Sequence, residues 1–367
     1  MRKIPLIRPY ITQEVKTRVL AVLDSGYLTE GPVTRELEAA FEKFTGGPHA
    51  LAVTSCTTGL ETALRCLGLG PGDEVIVPDY TYPATADAVA IVGATPVLVD
   101  VFPRTMLVDY AALETALTDR TRAIIPVSLF GNPLDYDQLN RLKQKAGLYI
   151  VEDAACALGA EYQGRKAGAL ADISVFSLHP RKFITTGEGG MITTDRADWA
   201  EWMNSYKHFG LTKAGSREGA VFGRLGTNYK LSGVLAAIGL AQMERLGELL
   251  ERRRALARNY VRLLSGQPGV TLPETTAGGV HSYQSFCVFV EDRDRVKRVL
   301  RDRGIEVQIG TYALHLQPVF QDRAVCRLAG DLPGSRFAFE HCLTLPLYHD
   351  LTAQDQEYVV DSLLALL

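Results

Sequence analysis

Hydrophobic and polar positions follow two rhythms along this chain, one helical and one strand-like. Residues 12–25 and 33–44 set apolar side chains at helical spacing among charged ones, which predicts two amphipathic helices. The link between them, SGYLTEGP, reads equally as an arm over a neighbouring surface, led by Tyr27, or as a plain surface loop. From residue 50, short apolar and β-branched runs alternate with helical stretches. LAVTS, EVIVP, PVLVD, RAIIPVSLF, LYIVEDAA, ISVFS and MITTD predict strands. TTGLETALRCLGL, ATADAVAIVG, YAALETAL and DYDQLNRLKQKAG predict helices between them. Continuous apolar strands separated by helices indicate an α/β fold, with a mainly parallel seven-stranded sheet covered on both faces.

The pattern weakens after MITTD, and the Gly-rich stretch 210–226 predicts an irregular or mobile loop. Residues 233–264 carry the longest helical pattern, which reads as one helix joining two units. HSYQSFCVFV and IEVQIG then predict strands, DRDRVKRVLRDRG an amphipathic helix, and TAQDQEYVVDSLLALL a final helix capped by Thr352. The expected division is a large unit at 1–245, including the N-terminal helices, and a smaller α+β unit at 246–367.

Composition narrows the function. The 367 residues, 47% of them hydrophobic, suffice for two cores, and the net charge of -3 has no basic tail. Nucleic acid and membrane are therefore not expected partners. No apolar segment follows MRKIPLIRPY, so neither a signal peptide nor an anchor is expected. The six cysteines are scattered without a CxxC pair, which suits reduced thiols in the cytoplasm, and the histidines lack metal-ligand spacing, so no metal is expected.

Candidate chemistry gathers at the ends of the predicted strands, where ligands bind in such sheets. In DISVFSLHPRKFITTGEGG, residues 172–190, Lys182 sits on a turn between a buried strand and a Gly-rich segment, an unusual place for a solvated lysine. Ser55-Cys56-Thr57-Thr58-Gly59 joins a strand to a helix, where free N–H groups and hydroxyls suit a phosphate; an ordinary helix cap reads the same way. YTYPAT sets Tyr82 at a sheet edge, either to stack on a flat ligand or to pack on the core. Asp153 ends LYIVEDAA and faces either a pyridinium nitrogen or a helix turn. A nucleophilic lysine, an acid for a ring nitrogen and a phosphate cup together match the needs of pyridoxal 5'-phosphate (PLP).

These residues carry a resemblance. GDEVIVPDYTYPAT, GATPVLVDV, TRAIIPVSLFGNPLDYD, VEDAACALGAEYQGRKAG, SVFSLHPRKFITTGEGGMITT and GTNYKLSGVLAAIGLAQMERL resemble the DegT/StrS family of nucleotide-sugar aminotransferases, of the PLP-dependent transferase fold type I. The resemblance covers nearly the whole chain and is weakest after residue 265. It implies that Lys182 holds PLP as a Schiff base and that Asp153 pairs with the ring nitrogen. It places Tyr82 and Ala155 on the two ring faces, and Thr57, Thr58 and Ser177 at the phosphate. Asn228 is implied to reach the neighbouring subunit's phosphate, making a homodimer with shared active sites. Cys156 stands where the family often has Gln or His beside the cofactor's 3'-oxygen; it reads either as a cofactor-proximal residue or as a small core-packing cysteine. The implied reaction is amino transfer from L-glutamate to a nucleotide-linked keto sugar, foremost an NDP-4-keto-6-deoxyhexose. His179, Arg181, Tyr312 and His315 are the candidate substrate contacts, with His315 reading equally as a structural histidine.

Competing readings remain distinct. A sugar dehydratase of this family carries His at the lysine position, whereas this chain has Lys182. Some members of the family act at C3 of the sugar or on cyclitols, so a 3-keto-sugar or cyclitol aminotransferase is the alternative acceptor reading. A cysteine desulfurase needs a mobile nucleophilic Cys, which Cys156 at a strand end suits poorly. A silent regulatory protein would be expected to lose Asp153, Ser177, Lys182 or Asn228. A Rossmann oxidoreductase would carry GxGxxG after its first strand, which is missing here.

Overall fold

The computed structural model describes residues 3–213 and 217–367. Its largest sheet contains the seven predicted strands: β1 (His49–Val53), β2 (Glu74–Pro78), β3 (Thr95–Val99), β4 (Thr121–Ile124), β5 (Tyr149–Asp153), β6 (Ile173–Ser177) and β7 (Gly190–Thr194). They lie in the order β1-β7-β6-β5-β4-β2-β3. Only β7 runs against the rest, pairing antiparallel with both β1 and β6. An eighth strand, Arg327–Leu328, adds parallel to β3 at the edge. Two residues with mixed neighbours give no strand pattern in sequence, so the eighth strand was not expected.

Helices cover both faces, and the apolar residues of the strands fall into separate buried clusters on either side. Helices α1 (Gln13–Ser25) and α2 (Pro32–Thr45) pack beside the helix Gly233–Met243. Helix α3 (Cys56–Cys66) follows β1. A Cβ on Gly59 would stand 2.5 Å from Val175, so the missing side chain lets α3 sit directly on β6.

The single helix expected over 233–264 is two, Gly233–Met243 and Leu246–Leu264. Leu240, Met243, Leu246, Leu249 and Leu250 are all buried, so the apolar period runs through the break unchanged. The ladder tightens there, with Arg245 N–H donating to Gln242 O at 3.1 Å, and Gly247 weakens the helix beyond. The stretch 210–226, expected to be irregular, contains a ribbon in which Leu211–Lys213 pairs with Val221–Phe222. Residues 214–216 lie outside the described residues.

A second sheet, antiparallel throughout, orders Val270–Thr271, Phe286–Val290, Cys342–Leu345 and Gln308–Ile309. Its core is closed by Tyr260 and Leu264 of the long helix, Val296 and Leu300, and Val359 and Leu363 of the last helix. That last helix, Ala353–Leu364, opens with Thr352 in a capping box with Asp355. The N-terminal segment reaches this unit too, through an isolated bridge of Ile4 with Ile305. Conversely, Tyr312–Ala313 returns to pair with Tyr80–Thr81 beside the large sheet. All six cysteines are free thiols. Among the described residues, no helix is long and apolar enough to cross a membrane.

Candidate active site

Strands β5 and β6 run side by side, with Asp153 in register with Val175. Their carboxyl ends, the start of α3 and the edge of the second sheet enclose a cleft of about 510 Å³. Asp153, Ser177 and Lys182 line it on one side, with Thr57, Tyr82 and Tyr312 around them. Chain segments far apart in sequence therefore meet where the sheet rule places a ligand.

Lys182 sits on a turn closed by its own N–H, which donates to His179 O at 2.8 Å. Its Nζ points back to Cys156, donating to Sγ at 3.2 Å. Burial works against the charged ammonium, but Cys156, Cys56 and Asp153 outweigh it and hold the pKa above the ordinary lysine value. In the bare protein this amine is a cation, which loses its proton before it acts as a nucleophile.

Asp153 is 5% exposed. One carboxylate oxygen accepts the Thr85 hydroxyl at 2.8 Å and the other the Ala155 N–H at 3.1 Å. Burial raises its pKa, against the opposing pull of those two donors and of Lys182. The oxygen bonded to Ala155 also meets the Cys56 thiol at 3.9 Å, while the one bonded to Thr85 keeps a further lone pair. Glu152, the neighbouring carboxylate, points to the other sheet face, as strand alternation requires. Ser128, Tyr136 and Ser174 hydroxyls satisfy it there at 2.5–2.7 Å. The two adjacent acids are thus separated, one satisfied by hydroxyls in the core and one aimed into the cleft.

At the start of α3, Ser55 and Thr58 form a reciprocal capping box. The Thr58 N–H donates to Ser55 Oγ at 3.1 Å, and the Ser55 N–H donates to Thr58 Oγ1 at 3.0 Å. Thr58 also meets Thr54 and Ser55 O, and it does not line the cleft. Of the two threonines, the structure places only Thr57 in the cleft wall. Ser177 lies opposite, its Oγ accepting the His179 N–H at 3.4 Å.

The other expected residues divide. Tyr82, 56% exposed, and Tyr312 stand with ring centres 6.1 Å apart across the cleft mouth. Ala155, Cys156, His179 and Arg181 also line the cleft. The His179 ring accepts the Arg181 N–H at 3.1 Å and lies 3.9 Å from Glu188, and burial lowers its pKa despite that carboxylate. His315 is turned away. Its N–H and Nδ1 bind the fully buried Asp79 at 2.7 and 2.6 Å, so it ties Tyr312–Ala313 to the large unit and does not face the cleft. Asn228 is exposed outside the cleft, where Lys230 Nζ donates to its side-chain oxygen at 2.6 Å.

Three site residues escaped sequence reasoning. Thr85, within the YTYPAT motif, gave a polar signal at a helix start that was not attached to Asp153. Cys56, whose thiol lies 3.9 Å from Asp153, was seen only as part of the helix cap. Gln284 donates to Arg181 O at 2.8 Å and accepts the Phe183 N–H at 2.7 Å. Nothing near Gln284 in sequence names its partners, which lie 101 and 103 positions away.

The model of the DegT/DnrJ/EryC1/StrS aminotransferase family matches residues 9–364. The chain belongs to that family. Solved structures agree over nearly the full length. DesV of S. venezuelae, solved in complex with a ketimine intermediate, is 34% identical with a TM-score of 0.93, covering 100% of this chain and 99% of its own. The sugar aminotransferase CalS13 of Micromonospora echinospora is 30% identical with a TM-score of 0.92, covering 99% of each chain. Spr1654 of Streptococcus pneumoniae, in its PMP form, is 31% identical with a TM-score of 0.94, covering 100% and 98%. Structures of that protein with PLP and without cofactor also match.

The cleft suits PLP on its own terms. An anion fits the first turn of α3, where the Cys56 and Thr57 N–H groups precede the capped Thr58, beside Ser177. A buried carboxylate raised in pKa lacks a sufficient cation, and a protonated ring nitrogen supplies one. The single amine between them is Lys182. For this aminotransferase, the residues present fit the cofactor that the family uses.

Proposed function

We propose that this protein is a PLP-dependent aminotransferase that moves an amino group from L-glutamate to a keto sugar carried on a nucleoside diphosphate, foremost a 4-keto-6-deoxyhexose. The observation that carries the reading is the convergence of Lys182, Asp153 and the α3 N-terminus on one cleft. Its likeness to CalS13, a sugar aminotransferase, supports a sugar acceptor.

Bound here, PLP supplies an electron-accepting ring that makes the Cα–H of an attached amino acid acidic. The remaining work falls to the chain. Lys182 holds the cofactor covalently and, once its amine is free, carries a proton from the donor's Cα as a general base. Asp153 holds the ring nitrogen in its protonated form, in a site where the low dielectric strengthens that pair. Thr85 and the Ala155 N–H fix the carboxylate in place. Thr57, Ser177 and the α3 N–H groups hold the phosphate. Tyr82 and Ala155 would flank the ring, with Cys156 beside the lysine. His179, Arg181 and Tyr312 line the route a sugar nucleotide takes to the lysine. The exposed Asn228 serves a second subunit's phosphate, in a homodimer with shared sites.

The test is mass spectrometry of products after incubation with L-glutamate and a panel of GDP-, UDP- and dTDP-linked keto sugars. An NDP-amino sugar with equimolar 2-oxoglutarate supports the reading. Loss of water from the sugar without 2-oxoglutarate contradicts it.

A further inference from the structure

One short segment of the second unit touches the lysine turn on both sides. Gln284, 6% exposed, donates Nε2–H to Arg181 O at 2.8 Å and accepts the Phe183 N–H on Oε1 at 2.7 Å. Those two peptide groups flank Lys182. The orientation of the amide is fixed by its partners, because a carbonyl only accepts and an N–H only donates. A neutral side chain with one donor and one acceptor meets this demand. A carboxylate would face the Arg181 carbonyl with a second negative oxygen, and an aliphatic chain would leave both peptide groups unpaired.

The same segment reaches the opposite wall. The Ser282 N–H donates to Gly131 O at 2.9 Å, and its hydroxyl lies 3.4 Å from Cys156 O. A Cβ on Gly131, whose φ is +94°, would stand 2.3 Å from Ser282 Oγ and 3.0 Å from Cys156 O. Glycine is therefore what admits the segment between the two walls. Behind it, Arg253 of the long helix donates to Gln284 O at 2.8 Å and Leu347 O at 3.1 Å, and also to Tyr283 O. Its guanidinium stands 5.3 Å from the Phe183 ring centre. Arg253 is 6% exposed and is held by carbonyls, with burial lowering its pKa to about 10. A buried cation that binds two successive carbonyls of the segment and a third at Leu347 anchors the segment to the rest of the second unit.

We infer that Gln284 is a positioning residue for Lys182, setting the direction in which the lysine projects, and that Arg253 ties that direction to the placement of the second unit. The inference rests on the proposed PLP chemistry. It adds that the lysine's geometry is set from outside its own loop, by the unit whose sheet forms the far wall of the cleft. Reacting groups displaced by about 1 Å lose on the order of 100-fold in rate.

A second side-chain amide, Gln242 of the helix Gly233–Met243, braces the same loop and separates positioning from plain support. Gln242 accepts the Thr185 N–H at 3.2 Å and donates to Thr185 O at 2.6 Å, three residues past the lysine and away from the cleft wall. The experiment compares Gln284→Leu with Gln242→Leu in the PLP-loaded protein. It reads the melting temperature, the pH titration of the visible absorbance, and kcat and KM for L-glutamate. Gln284→Leu is expected to move the titration midpoint and lower kcat on the order of 100-fold, with KM changed far less. Gln242→Leu is expected to lower the melting temperature and leave the titration in place. If Gln284→Leu does not fold, Gln284→Glu, which keeps the acceptor for Phe183 and loses the donor to Arg181, is read the same way. An unmoved titration with near-wild-type kcat in the Gln284 variant overturns the inference while the proposed function stands. A wild-type protein that gives no lysine-linked absorbance with PLP overturns both.

Discussion

Replacing Asp153 by Asn separates the chemical role of this residue from its structural one. The change is nearly isosteric. The Asn oxygen still accepts the Ala155 N–H, and its NH₂ group donates to Thr85, whose own proton turns to Thr81 Oγ1 at 3.0 Å. In the bare protein, burial raises the Asp153 pKa above 3.8. Its contribution to stability is therefore present below that value and lost as pH rises through the raised one. A permanently neutral Asn avoids this loss, so Asp153→Asn without PLP should be no less stable than wild type at pH 7–8. The loaded protein should respond in the opposite direction. Removing one partner of a buried ion pair costs about 3–5 kcal/mol. If that falls on the proton-transfer step, the rate drops roughly 100- to 5,000-fold. The assay is a single turnover with L-glutamate, following the visible absorbance, alongside melting curves with and without PLP. A half-reaction close to wild type in the variant would refute the pairing of Asp153 with the ring nitrogen. A large loss of stability in the cofactor-free variant would refute the account of its burial.

Four further outcomes follow from the same geometry. Lys182→Ala should abolish turnover and the lysine-linked absorbance while leaving the cofactor-free melting temperature near wild type, as checked by spectrum and calorimetry. The folded pKa of Lys182 lies above 10.5, so its neutral fraction grows roughly tenfold per pH unit between pH 7 and 10. PLP loading should accelerate across that window in stopped-flow absorbance, and a rate that levels off below pH 9 would contradict the raised value. Ser55→Ala breaks the α3 cap and should cost about 1 kcal/mol of stability in denaturant melts, weakening phosphate retention with it. Mixed oligomers of Lys182→Ala and Asn228→Ala should recover activity that neither variant has alone; no recovery on mixing would remove Asn228 from the partner's site.

Most of the sheet and the meeting of the candidate residues at its strand ends were legible in sequence because both rest on local patterns. Apolar runs marked all seven long strands, and their ends placed Asp153, Ser177 and Lys182 where the structure brings them together. Features fixed by distant contacts were not. The break at Glu244–Arg245 interrupts no apolar period, and the Arg327–Leu328 strand is too short to show one. Thr58 and Thr57 look equivalent as neighbours in a Thr-Thr pair, and only the capping geometry separates them. His315 in ALHLQP gave no sign of Asp79, which lies 236 positions away. Gln284 is polar in an otherwise strand-like run, a mark that could have been read as a contact but named no partner.

The central claim is that Lys182 carries the cofactor. Reduction of the PLP-loaded protein with borohydride fixes any such link, and peptide mass spectrometry then locates it. The account predicts the phosphopyridoxyl group on the peptide containing Lys182 and on no other lysine. A label elsewhere, or none, would contradict it.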